Sequence, residues 1–139
     1  MDQEILRKYN YKLSGGSVGT DDDDMANILY SINKMETPAS IQSEDSSVMT
    51  ASVNDVFTML TDCKVSLDRF NTAHKDRIDQ NLFQTVLNQF SAEQKRLMDA
   101  FVLLAPPAQC ITLLTDSYKN ILATVPSLQK LDEQSTRNK

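Results

Sequence analysis

The chain has 139 residues and a formal net charge of −5, with 40% hydrophobic residues, no Trp and three Gly. That length holds one domain, and so little Gly and Pro favours helices over strands, whose turns demand Gly. The acidic balance, gathered between residues 14 and 50, argues against nucleic acid as a partner, because phosphate binding needs a basic face.

Residues 1–20 form an N-terminal segment in which Ile5, Leu6, Tyr9 and Leu13 fall on one side of a short helical pattern, followed by a flexible run, Ser14-Gly-Gly-Ser-Val-Gly. Charges at Asp2, Glu4, Arg7 and Lys8 stand where a signal peptide needs an apolar core. No apolar run reaches the length of a membrane span. An intracellular protein, cytoplasmic or cytoskeletal, is expected rather than a secreted one.

Residues 21–36 read as a short amphipathic helix. Asp21 to Asp24 lack the spacing, Gly and closing Glu of an EF-hand, and fit the first turn of a helix, where carboxylates are favoured. Met25, Ile28, Leu29, Ile32 and Met35 then step by three and four, up to the restriction imposed by Pro38. Residues 37–51, rich in Ser, Thr and acid, read as a disordered linker. Thr37, before Pro38, and Ser43 and Ser46, in acidic surroundings, are candidate phosphorylation sites.

Residues 52–131 carry the helical domain. From Ser52, the expected N-cap, to Ala105 there is neither Gly nor Pro. Val53, Val56, Leu60, Cys63, Leu67 and Phe70 form an a/d seam, and Phe83, Leu87, Phe90, Gln94, Leu97, Phe101 and Leu104 form a second. Between them the stripe thins to Ala73, His74 and Ile78. The lack of Gly and Pro favours one continuous helix with a stutter over an antiparallel hairpin, giving a rod about 80 Å long. Ser91 and Gln94 match a capping box, but the beat runs through them. Pro106-Pro107 ends the helix and starts another, with Ile111, Leu114, Tyr118, Ile121 and Val125 in step and folding back on its predecessor. Pro126 kinks it, and residues 132–139 read as a disordered tail.

The expected fold is therefore all-α: an elongated helical hairpin or bundle with coiled-coil seams, between a disordered acidic linker and disordered tails. The inventory for chemistry is thin. One His and two Cys match no zinc spacing. Within one helix Cys63 and His74 are separated by about 16 Å of rise, too far for a nucleophile and its base. The GGSVG run lacks the Lys-Ser/Thr ending of a phosphate loop. Asp76 and Asp79 sit among Lys75 and Arg77 as on a solvated face. Cys63 and Cys110, on apolar stripes, read as free buried thiols, and His74 on the seam as a residue that fixes register. No enzyme activity, cofactor, metal or small-molecule substrate is expected.

What remains is a seam in need of a partner. The expectation is a small non-enzymatic subunit of a hetero-oligomeric helical assembly, with Val53, Val56, Leu60, Cys63, Leu67, Phe70, Leu97 and Phe101 at the interface and the first seam as the docking face. In organisation alone the layout resembles small subunits of eukaryotic spindle and kinetochore complexes, such as augmin. It is equally similar to subunits of lysosome-positioning and vesicle-tethering complexes. The alternatives are a monomeric helical-bundle adaptor that takes a peptide in a groove and a self-oligomerising viral cofactor.

Overall fold

The computed structural model describes residues 23–137, and every regular element among them is a helix. In chain order these are α1 (Asp24–Lys34), α2 (Glu36–Ala39), α3 (Ser46–His74), α4 (Gln80–Val102), α5 (Pro107–Leu122) and α6 (Val125–Arg137). The N-terminal pattern of Ile5, Leu6, Tyr9 and Leu13 lies outside the described residues.

The chain turns between α3 and α4, so the long stretch is a hairpin and not a rod. Asp79 decides this. Its carboxylate accepts from the Asn81 and Leu82 N–H groups at 2.9 and 3.2 Å, satisfying first-turn donors that a continuing helix would have paired internally. Gln80 Nε2 donates back to Asn71 Oδ1 and to the Lys75 carbonyl, tying the new helix to the end of the old one. An N-cap Asp can start a new helix at a break that holds neither Gly nor Pro, so the absence of those residues concealed the turn.

α1 runs antiparallel to α3: Asp24 lies 3.5 Å from Arg69, and the Cys63 thiol donates to the Ile28 carbonyl at 3.8 Å. α5 begins at the open end of the hairpin and descends along α4, and α6 continues to the turn, where the Asp79 N–H donates to Gln134 Oε1 at 2.8 Å. The outcome is an up-down-up-down bundle whose fourth member is α5 and α6 in succession.

The expected linker is mostly ordered structure. α2 occupies residues 36–39 with Pro38 in its first turn, where a missing N–H costs nothing, and Pro38 and Ala39 are buried. α3 starts at Ser46, well before the expected cap at Ser52, because Asp45 accepts from the Ser47 N–H at 2.9 Å and from its hydroxyl at 2.7 Å. Met49, one turn on, is buried. Ser52 sits inside the helix, its hydroxyl donating to the Val48 carbonyl. At the other end, α6 extends through most of the expected tail, with Leu128, Leu131 and Ser135 buried. The kink falls at Ala123-Thr124, and Pro126 stands in the first turn of α6.

Candidate interaction surface

The first seam belongs to the protein's own core. Val53, Val56, Leu60, Cys63, Leu67 and Phe70 are all buried, and so are Met25, Ile28, Leu29 and Ile32 of α1, which packs along α3. A docking face along this seam is therefore corrected: its apolar stripe is already covered by a helix of the same chain.

On α4 the core takes a register that differs from the expected seam. The buried positions are Phe83, Val86, Phe90, Glu93, Leu97 and Ala100. The stripe thus steps through Val86, Glu93 and Ala100 where the periodicity had Leu87, Gln94 and Phe101. α5 and α3 together cover this face of α4, and Leu97 goes inside with it. Residues on the other side of Leu97 are left out: Met98 is 43% exposed, Phe101 49%, Val102 66%, Leu103 77% and Leu104 87%. Of the expected interface set, only Phe101 is on the surface.

These five residues end α4 in an unusual way. The Ala105 N–H reaches the Ala100 carbonyl at 3.0 Å and the Leu104 N–H reaches that of Phe101 at 3.3 Å, the paired bonds of a Schellman cap. Its geometry requires a left-handed residue, normally Gly. Here that residue is Leu104, with φ of 54°, at a cost of about 1 kcal/mol. A branched side chain is thus held in a strained backbone and pointed at solvent.

Beside this apolar turn is a groove of about 100 Å³ lined by Val53, Asn54, Phe57, Leu97, Met98 and Phe101. It lies between the first half of α3 and the last half of α4. Gln94 closes it towards the hairpin turn by donating to Thr61 Oγ1 at 2.7 Å, with Lys64 Nζ donating to Gln94 Oε1 at 3.2 Å. On the far side of the apolar turn a wider cleft of about 500 Å³ runs between Ser43-Glu44 and Pro106–Ile111.

The candidate phosphorylation sites cluster near this end. Thr37 is exposed, but Pro38 beside it is buried in α2, so a kinase that reads an extended Thr-Pro would have to unwind that helix. Ser43 accepts from the Asp45 N–H at 3.0 Å, and Ser46, exposed, is the first residue of α3.

The thiols are inert: burial pushes Cys63 up to about 12, with Asp62 adding to the effect, and burial also raises Cys110. His74 stands at the end of α3 with its ring 4.8 Å from that of Phe70, a packing contact. Among the described residues no group of His, Cys, Asp and Glu is arranged to hold a metal ion, and no helix is long and apolar enough to cross a membrane. No protein-family model, no curated protein and no solved structure matches the chain.

Proposed function

We propose that the protein is a non-enzymatic subunit of a helical protein assembly, and that it joins other helical chains through the Met98–Leu104 edge. The observation carrying this reading is the run of five exposed apolar residues ending in a left-handed leucine. Together they leave roughly 600 Å² of apolar surface in water, at the upper end of what a monomer tolerates without a use for it. Strained residues survive where a function holds them in place. The adjoining groove, of about 100 Å³, has room for one apolar side chain from an amphipathic helix laid across the edge.

The resemblance in sequence organisation to small subunits of spindle and kinetochore complexes, augmin among them, makes these the first assemblies to search. Lysosome-positioning and vesicle-tethering complexes come next. A monomeric adaptor that receives a peptide helix in the same groove is the second reading, favoured by a core already closed by its own helices.

The test is recovery of the tagged protein in complex from its native cells. Leu103→Asp is expected to release the other subunits, and Asp76→Ala, an exposed change at the opposite end of the hairpin, to retain them. The same complex recovered with folded Leu103→Asp protein overturns the proposal.

A further inference from the structure

We infer that the chain occupying the Met98–Leu104 edge is a second copy of this protein, paired about a two-fold axis. This rests on the reading of that edge as a docking surface and names its occupant.

Three features point to a copy. First, knob and socket lie side by side on one face. The apolar turn Val102–Leu104 projects, and the groove of Val53, Phe57, Leu97 and Met98 opens next to it. A two-fold interface needs this arrangement, because each surface must supply both halves of the contact.

Second, the spacing closes. In an antiparallel pair of α4 helices with the axis at Phe101, residues equally far on either side of Phe101 face one another. α4 ends at Val102 and Leu104 has left the helix, so the match is between regions: the Val102–Leu104 turn of one copy lies towards the Met98 side of the other copy's groove. The two half-exposed Phe101 rings meet at the axis.

Third, the area comes close to what a dimer needs. Roughly 600 Å² of apolar surface from five residues, with the groove rim added, approaches the 800 Å² or so per partner of a standard-sized interface. From Met98 to Ala105 the sole charged residue is Asp99, so a like charge is not forced into the centre.

Leu104 explains why the strain is kept. Gly at this position satisfies the cap more easily but removes the knob. The two roles can therefore be separated by substitution.

The full chain is examined by sedimentation velocity from about 1 to 200 µM, a range that brackets a micromolar dimer. A concentration-dependent dimer is expected. Leu104→Asp and Leu104→Gly are each expected to weaken it by about tenfold or more, as for a central apolar anchor. Leu104→Gly should melt no lower than the parent, which separates loss of contact from loss of fold.

A chain that stays monomeric throughout the range overturns the inference. It leaves the proposed function intact if the complex recovered from cells still depends on Leu103. A dimer indifferent to both Leu104 substitutions overturns it as well, placing the contact elsewhere. So does a chain that dimerises only after residues 1–22 are removed, since the groove's occupant is then that segment.

Discussion

Glu93 is the residue that fits its surroundings least well. It occupies a core position on α4, fully buried, with Oε2 accepting from Gln89 Nε2 at 2.5 Å and from Asn120 Nδ2 at 3.3 Å. Its Oε1 accepts no hydrogen bond, and Arg96 stands 3.6 Å away on an exposed arm. A buried carboxyl group so incompletely matched stabilises little, and apolar replacements of such groups are often favourable. Glu93→Leu is expected to raise stability by about 1 kcal/mol in urea denaturation, since Gln89 and Asn120 are only half-buried and can turn to water. A loss of stability on this substitution would mean that the α4–α5 contact depends on the polar cluster.

At the scale of elements, the helix starts were harder to read than the helices. All-α architecture, α1 and α5 were legible from three-four spacing; thinning of the stripe marked residues 71–81 as weak, but the turn there ran against the expected continuous helix. The starts of α3 and α4 were not legible, because Asp45 and Asp79 act as caps and stand in acidic or mixed-charge runs where any carboxylate looks like surface. The register of α4 was hidden for a different reason. Apolar residues at Phe83, Leu87, Phe90 and Phe101 and at Val86, Leu97 and Ala100 allow two overlapping stripes, and only the packing of α3 and α5 chooses between them. The proposed docking surface is what the unchosen stripe leaves at the end of α4.

One prediction belongs to this scale. The hydrogen bonds from Ser47 hold the Asp45 carboxyl below its ordinary value of 3.8, so its contribution to the start of α3 is present above that pH and lost as pH falls through the lowered value. The protection factors of the Ser47 and Val48 amides, taken against the intrinsic exchange rate at each pH, are expected to fall on acidification below about pH 4, before the rest of the helix opens.

For the whole molecule, the first seam and the α4 edge should respond in opposite ways. Leu67, fully buried between α3 and its neighbours, should cost about 3 kcal/mol when cut to alanine, by transfer and cavity together. Leu103→Asp, at 77% exposure, should change folding stability by about 0.5 kcal/mol or less. Urea denaturation of the two variants beside the parent distinguishes a core seam from an interface. Equal losses would return the first seam to the surface or bring the edge into the core.

The hydrogen bond from the Asp79 N–H to Gln134 joins positions 55 apart, while the most extensive helix pairs, α1 with α3 and α3 with α4, join neighbours in sequence. Local contacts of that kind form within microseconds to milliseconds, and distant ones must wait for loop closure. The α1–α3–α4 unit can therefore form before α6 docks. Until α6 reaches the hairpin turn, the side of α4 that it later covers stays open to water.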